Sequence, residues 1–182
     1  MSNQNQFSDR INKMQGSSTL KAAQSAARLR EEGHSVIDLT VGEPDFDTPQ
    51  FIKQYAWEGL QNGLTKYTPA SGSKTFKEST AEYYAAEFGA DVSPDEIAAA
   101  CGGKQALFNA ITTLVNEGDE VLIPKPYWVT FPEIVNFCGG KNVFIETEET
   151  DFILTADQVR NAITDQTKLL VINSPNNPTG RV

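Results

Sequence analysis

The stretch Val171–Gly180 constrains the fold of this chain more than any other. Lys168–Ile172 is a mostly apolar run that predicts a buried strand, and a loop of asparagines, a serine, two prolines and a glycine follows it abruptly. Each proline restricts the residue before it to extended conformations, so Ser174 and Asn177 cannot continue into a helix. The sequence therefore predicts a stiff loop with amide side chains at the carboxyl end of a strand, where open α/β sheets bind ligands.

A regular alternation of predicted strands and helices precedes this loop. The predicted segments are strands at 97–101, 120–124, 142–146 and 168–172, and helices at about 104–116, 129–137 and 156–164. Short loops that contain glycine or proline connect most of them. This alternation predicts an α/β fold in which helices flank a mostly parallel sheet.

The first half of the chain predicts helices joined by turns. We expect a polar arm over 1–16 that is disordered unless a contact holds it. We also expect helices over 20–32, 50–62 and 74–88, a short strand over 35–42 and a capping turn at 93–96. Four aromatic side chains of the third helix are available for a buried stripe, namely Phe76, Tyr83, Tyr84 and Phe88.

Composition narrows the functional classes. The chain has 182 residues and a formal net charge of −9, and it has no basic block or stripe that would indicate a nucleic-acid surface. No apolar run approaches the roughly 20 residues that a membrane span requires, and residues 1–14 lack the apolar core of a signal peptide. Cys101 and Cys138 lack metal-type spacing, so we expect reduced thiols in a cytoplasmic protein without a metal site.

Gly102 and Gly103 lie between a predicted strand and a predicted helix. Glycines in this position let a ligand approach the backbone, and the first N–H groups of the helix can bind an anion. The spacing matches neither the G-x-G-x-x-G dinucleotide fingerprint nor the G-x-x-x-x-G-K-[ST] nucleotide loop. On these residues alone, a phosphate site and an ordinary tight turn both remain open.

Tyr127 and Trp128 place two aromatic rings directly after another predicted strand. We expect them at the same edge of the sheet as the asparagine-rich loop, because the carboxyl ends of parallel strands share one edge. A flat heteroaromatic ligand needs such an aromatic face for stacking. Ordinary packing is the alternative, and the pair alone does not decide between the two.

Taken together, five short sequences resemble those of class I aminotransferases, the pyridoxal 5′-phosphate (PLP) enzymes of the aspartate aminotransferase type. In chain order they are Val41–Pro49, Lys66–Gly72, Gly102–Leu107, Pro126–Trp128 and Ser174–Gly180. The resemblance extends from about residue 14 to residue 180 and implies the PLP-dependent transferase fold, fold type I. It also implies an arm, helix and small-domain segment at 1–48 and the amino-terminal part of the large PLP-binding domain at 49–182.

The resemblance assigns cofactor contacts to the second half of the chain. It implies that the N–H groups of Gly103 and Lys104 bind the PLP phosphate. It further implies that Trp128, in preference to Tyr127, stacks on the pyridine ring, and that Asn177 hydrogen-bonds the phenolic oxygen. Trp128 and Asn177 would also contact the substrate.

Two further residues of the resemblance lie in the first half of the chain. Gly42 matches the position where the backbone meets the α-carboxylate of the substrate. Tyr67 matches a tyrosine that reaches the PLP phosphate of the neighbouring subunit, which implies a homodimer. Ser17–Thr19 matches the segment that closes over the substrate, although Gly16 replaces the usual proline.

PLP chemistry also needs a lysine for the Schiff base, an acid opposite the pyridine nitrogen and an arginine for the substrate carboxylate. In the family all three follow the asparagine loop, so the resemblance places them beyond Val182 and leaves no catalytic residue in this chain. Lys74 lies in a superficially similar Ser-x-x-Lys sequence, but we expect it to be an exposed residue of a first helical turn. Lys104 and His34 are likewise expected to be solvated.

The resemblance therefore implies the amino-terminal portion of an aminotransferase, inactive alone, that moves an amino group from an aspartate-like or aromatic amino acid to a 2-oxo acid. The alternative is a natural, non-catalytic truncation that acts through subunit association. A nucleotide-binding α/β domain is a third possibility, and the missing fingerprint counts against it. A sequence fragment and a shortened gene product both explain the end at Val182, and we favour the fragment.

Overall fold

The structure is a computed structural model that describes residues 7–13, 18–40 and 42–182. These residues form two compact units. One unit contains residues 101–182 together with 7–13, and the other contains residues 18–100. The domain boundary predicted after residue 48 stays a prediction.

The secondary structure follows the predicted alternation in the second half of the chain. The α-helices and strands are α1 Asp9–Lys13, α2 Ser18–Glu31, α3 Gln50–Gln61, α4 Lys74–Phe88, α5 Gly103–Leu114, β1 Glu120–Pro124, α6 Thr130–Cys138, β2 Lys141–Ile145, α7 Ala156–Ala162 and β3 Thr167–Leu170. Short 3₁₀ turns at Pro94–Glu96 and Glu148–Thr150 complete the set within the described ranges.

β1 is the central strand of a sheet with the order β2-β1-β3, and both of its neighbours run parallel to it. Val121, Leu122 and Ile123 are fully buried, as expected for a strand that is paired on both edges and covered on both faces. The N–H of Val171 donates to the carbonyl of Leu122 at 3.0 Å, so pairing continues one residue beyond β3. Parallel strands joined by helices confirm the predicted α/β fold.

α5 and α6 cover one face of this sheet. Their buried side chains recur at helical spacing and form one cluster with alternate residues of β1: Ile111, Val115, Val121, Ile123, Phe131, Ile134 and Val135. A Cβ on Gly140, in the α6–β2 connection, would lie 2.8 Å from Cγ1 of Val115 and 3.0 Å from Cγ1 of Val135. The connection can approach the cluster this closely because the residue is glycine.

Two predicted strands are wrong, and a part of the predicted arm is helical. Residues 97–101 form no strand, and neither do the described residues of 35–42, where Ile37 and Leu39 are 88% and 90% exposed. A strand requires a hydrogen-bonded neighbour, and no described strand pairs with either segment. Within the arm, α1 forms, and the guanidinium of Arg10 lies 5.5 Å from the ring centre of Phe137 on α6.

The unit of residues 18–100 confirms the predicted capping turn at 93–96 but not the buried stripe. Oγ of Ser73 accepts from the N–H of Phe76 at 3.3 Å at the start of α4, and the N–H of Ser93 donates to Oε2 of Glu96 at 2.9 Å. The four aromatic side chains of α4 are between 46% and 65% exposed. Three of them instead contact one another edge to face: Tyr83, Tyr84 and Phe88.

Across the described ranges, no helix combines the length and the apolar character needed to cross a bilayer. Cys101 and Cys138 are both free thiols, and burial raises the pKa of the Cys138 thiol.

Candidate cofactor site

Three segments of the unit that contains residues 101–182 meet at the edge of the sheet where the carboxyl ends of the strands lie. The loop after β1 carries Tyr127 and Trp128, and the loop after β3 carries Asn177. The start of α5 reaches the same edge because α5 runs back along the sheet and connects through residues 115–119 to the start of β1. This is the edge at which open α/β sheets bind ligands.

The amino-terminal end of α5 presents free main-chain donors. Gly102 has φ +88°, a left-handed conformation that favours glycine, and its carbonyl accepts from the N–H groups of Gln105 and Ala106. The N–H groups of Gly103 and Lys104 have no acceptor among the residues that the structure describes. A Cβ on Gly103 would meet no heavy atom within 4 Å, so the backbone of Gly103 is accessible on that side. This geometry suits a phosphate.

Tyr127 and Trp128 have different surroundings, and this separates their roles. The ring of Tyr127 stacks on Phe144 with a centroid distance of 4.9 Å and an interplanar angle of 12°. Trp128 contacts Phe131 edge to face at 5.6 Å and is only partly buried. Nζ of Lys104 lies 5.3 Å from the centre of the indole ring. The indole therefore lies beside the Lys104 side chain at the start of α5, whereas Tyr127 stacks on Phe144. Both rings are partly buried and pack against the core cluster.

The asparagine loop places its two amides differently. Asn177 is exposed, and its main-chain N–H donates to Oδ1 of Asn173 at 2.9 Å. Its carboxamide has no hydrogen-bond partner among the described residues, so it is free to meet a ligand. Asn176 is partly buried, and its carboxamide binds both its own loop and the carbonyl of Pro126. Sequence reasoning passed over Asn176, because no local pattern identifies an acceptor 50 residues away.

A second contact fixes the loop after β1 from the side of β2. The buried hydroxyl of Thr147 donates to the carbonyl of Lys125, and the N–H of Lys125 donates to the carbonyl of Ile145 at 2.9 Å. Nζ of Lys125 lies 2.6 Å from Oε1 of Glu146, and this hydrogen bond raises the pKa of the Lys125 ammonium. A cavity of about 210 Å³ opens at this edge, lined among others by Lys125, Tyr127, Asn173 and Asn176.

Gly42 and Tyr67 belong to the unit of residues 18–100. A Cβ on Gly42 would meet no heavy atom within 4 Å, so its backbone is accessible. The turn before it is held by the carboxylate of Asp38, which accepts from Oγ1 of Thr40 at 2.6 Å and from its N–H at 3.0 Å. These bonds lower the pKa of Asp38. Tyr67 is fully exposed in its loop.

The remaining sequence predictions concern side chains outside the site. Lys74 lies in the first turn of α4, its side chain is 86% exposed, and it pairs with Glu78, as predicted. His34 is exposed. Gly16 and Ser17 of the segment predicted to close over the substrate lie outside the described residues. Within the described ranges, no group of three or more His, Cys, Asp or Glu side chains could hold a metal.

The residues at the sheet edge fit a phosphorylated pyridine ring. Gly103 and Lys104 offer two free N–H groups and open space to an anion. Trp128 offers a partly exposed aromatic face, and Asn177 offers an unengaged carboxamide. An anion cradle, a stacking face and a neutral donor are the groups that such a ligand requires.

Known proteins resemble this chain over nearly its whole length. The sequence model of the family described as aminotransferase class I and II matches residues 34–182 of this chain. The aspartate/prephenate aminotransferase of Thermus thermophilus is 46% identical over 177 residues, and the aspartate aminotransferase of Bacillus subtilis is 44% identical over 172 residues. These alignments cover 97% and 94% of this chain but 46% and 44% of the relatives, so the chain spans about half of their length.

Solved structures give the same result. The aspartate aminotransferase of Thermus thermophilus, solved with maleate, superposes with a TM-score of 0.93 at 45% identity and covers 98% of this chain and 47% of its own. The aspartate aminotransferase of Thermotoga maritima superposes with a TM-score of 0.87 at 38% identity. The chain therefore belongs to the PLP-dependent aminotransferase class I and II family and has the fold of its amino-terminal part, within fold type I.

Proposed function

We propose that this chain is the amino-terminal portion of an aminotransferase that moves an amino group from an aspartate-like or aromatic amino acid to a 2-oxo acid. One observation carries the proposal. Free N–H groups, a partly buried indole and an unengaged carboxamide lie at the same edge of one parallel sheet. The relatives described as aspartate and aspartate/prephenate aminotransferases support the substrate class.

Each residue of the proposed site has a distinct duty. The N–H groups of Gly103 and Lys104 hold the phosphate, and the positive end of the α5 dipole favours its charge. Trp128 orients the ring by stacking, and Asn177 donates to its phenolic oxygen. When bound, PLP supplies an electron-accepting ring to the reaction. The backbone at Gly42 binds the α-carboxylate of the substrate.

We further propose that the active protein is a cytoplasmic homodimer in which Tyr67 reaches the phosphate of the neighbouring subunit. The full exposure of Tyr67 supports this assignment. A protruding tyrosine without a neighbour in its own unit is available to a second chain. The division into a segment at 1–48 and a large-domain portion at 49–182 belongs to the same proposal.

Fluorescence tests the site without requiring catalysis. The chain has two tryptophans, and a Trp57→Phe variant leaves Trp128 as the only indole emitter. Pyridoxamine 5′-phosphate is a suitable probe because it binds without a covalent bond. We expect it to quench Trp128 emission with saturation, and to do so more strongly than pyridoxamine, which lacks the phosphate. Absence of saturable quenching would refute the proposed site.

The matched comparison uses the other aromatic residue of the loop. Trp128→Leu should weaken binding of pyridoxamine 5′-phosphate about tenfold, the effect of losing one stacked ring. Tyr127→Leu should instead lower thermal stability, because it removes the stacking contact with Phe144. Calorimetric titration and thermal unfolding of both variants separate binding from packing. An equal loss of affinity in both variants would contradict the assignment of Trp128.

A further inference from the structure

Asn176 uses both the oxygen and the nitrogen of its carboxamide within the protein. Oδ1 accepts from the N–H of Thr179 at 3.1 Å and from its Oγ1 at 2.9 Å. Nδ2 donates to the carbonyl of Pro126 at 3.1 Å. The main chain of Asn176 is also engaged, since its N–H donates to the carbonyl of Arg181 and its carbonyl accepts from the N–H of Gly180, both at 2.7 Å. Oδ1 of Asn176 therefore has both of its acceptor positions filled, and Nδ2 uses one of its two N–H groups for the carbonyl of Pro126.

The bond from Asn176 to Pro126 joins two loops that are 50 residues apart in sequence. Pro126 lies two residues before Trp128, and Asn177 directly follows Asn176. Among the described residues, this is the only hydrogen bond between the loop after β1 and the asparagine loop. One side chain therefore links the backbone that carries the indole to the backbone that carries the free carboxamide.

We propose that Asn176 is a positioning residue that sets the separation between Trp128 and Asn177, so that both can contact one pyridine ring. This inference rests on the proposed function. A site must hold its contacts within a fraction of an ångström, and contacts placed on loops depend on bonds that support those loops. Asparagine suits the task because its amide donates to one loop and accepts from the other at the same time.

Residue chemistry explains why neighbouring side-chain types would not serve. Aspartate keeps the acceptor for Thr179 but loses the donor to Pro126, and leucine keeps the shape but loses both. Either change frees the two loops to move independently. Ligand binding would then have to order them, which costs affinity. The effect should therefore be seen in binding and should depend on the presence of Trp128.

A double-mutant cycle on the full chain tests the proposal. The probe is pyridoxamine 5′-phosphate, and the measured quantity is its dissociation constant by calorimetry. The variants are Asn176→Leu, Trp128→Leu and the double variant, with Asn161→Leu as the control. Asn161 is exposed on α7, and its side chain makes no hydrogen bond to the described residues.

We expect Asn176→Leu to weaken binding about tenfold, the order of one or two lost hydrogen bonds. In the Trp128→Leu background the same change should cost less than about threefold, because the indole that it positions is absent. Asn161→Leu should leave affinity unchanged. A merely structural role would give the same loss in both backgrounds. Circular dichroism and thermal unfolding establish that each variant folds, and Asn176→Ala replaces the leucine variant if that variant does not.

Two outcomes overturn the positioning role alone. One is a folded Asn176 variant with unchanged affinity, and the other is an equal loss in both backgrounds. If the unaltered chain does not bind pyridoxamine 5′-phosphate, the proposed function fails, and the role of Asn176 fails with it. The two failures are thus distinguished by the behaviour of the unaltered chain.

Discussion

At the scale of single residues, Asn176 and Asn177 show that a sequence motif does not by itself reveal the role of each residue in it. Both are amides in the same loop, yet the side chain of Asn176 makes three internal hydrogen bonds, whereas Asn177 is exposed with its amide unengaged. Resemblance identified Asn177 as a site residue. The role of Asn176 could not be predicted, because its partner is the main-chain carbonyl of Pro126. Every residue has such a carbonyl, so the sequence does not mark which one is the acceptor.

The same limit applies to the aromatic pair. The sequence placed Tyr127 and Trp128 correctly after β1, but it did not show which ring is engaged in packing. Stacking of Tyr127 on Phe144 of β2 depends on the register of two strands, which the structure provides. The preference for Trp128 rests on the resemblance, and its role stays a prediction.

Asn177→Ala should alter the titration of the bound cofactor in the complete holoenzyme. We expect the pH midpoint of the cofactor absorption change to shift upward, because the phenolic oxygen loses a donor that stabilises its negative charge. Spectrophotometric titration measures this midpoint, and Asn161→Ala is the control. An unchanged midpoint in Asn177→Ala would remove Asn177 from the site.

At the scale of elements, the helices and the three paired strands were predictable from the sequence, but the absence of strands at two other segments was not. The three strands of the sheet lie within two residues of the predicted positions, and the helices flanking the site are also close. Their apolar patterns suffice because each is covered locally. The segments 35–42 and 97–101 have strand-like patterns, but whether they pair depends on other segments, which their local pattern cannot reveal.

Gly140→Ala should destabilise the sheet unit. The added Cβ would lie 2.8 Å from Val115 and 3.2 Å from the carbonyl of Asp119, so either the connection or the end of α5 must shift. We expect a loss of about 1–3 kcal/mol in unfolding free energy, as for overpacked cores. Gly59→Ala is the control, because Gly59 lies inside α3, where a Cβ meets only Leu64 at 3.6 Å. Denaturant titration compares the two, and equal stability of both variants would contradict the close approach.

Glu96 should make the capped turn sensitive to acid. The hydrogen bond from the N–H of Ser93 lowers the pKa of the Glu96 carboxyl below its usual value of 4.5. Its stabilising contribution is therefore complete above pH 4.5 and is lost as the pH falls through the lower, folded-state pKa. Glu96→Gln should flatten this part of the pH dependence of the denaturation midpoint.

The control for this prediction is Glu87→Gln. Glu87 is exposed on α4 and makes no hydrogen bond or ion pair to the described residues. Its variant should keep the acid dependence of the unaltered chain. If Glu96→Gln and the unaltered chain lose stability in parallel as the pH falls, the Glu96–Ser93 bond is not the source of the effect.

At the scale of the whole molecule, the chain spans about half the length of its relatives. The unit of residues 18–100 exposes large apolar side chains. Phe51, Tyr55 and Trp57 of α3 are 63%, 71% and 60% exposed. Local sequence patterns predict these helices, but they do not show whether another surface covers the apolar side chains. Sequence reasoning therefore predicted a buried stripe on α4 that this chain alone does not bury.

The 182-residue chain alone should show no transaminase activity. We expect stoichiometric PLP, followed by borohydride reduction and mass spectrometry, to leave Lys74 unmodified. The ammonium of Lys74 is solvated and paired with Glu78, so nothing activates it as a nucleophile. A complete aspartate aminotransferase is the positive control. A stoichiometric adduct on Lys74 would overturn the assignment of the cofactor lysine to a position beyond Val182.

The proposed anion contact at the start of α5 is made by main-chain N–H groups, which side-chain mutagenesis does not remove. Two peptide N–H groups face the open space there, and exchanging one side chain for another leaves peptide groups in place. An alanine scan would therefore pass over the anion contact altogether. Replacing the amide of residue 104 by an ester, through chemical ligation, deletes one donor atom and exposes its worth directly.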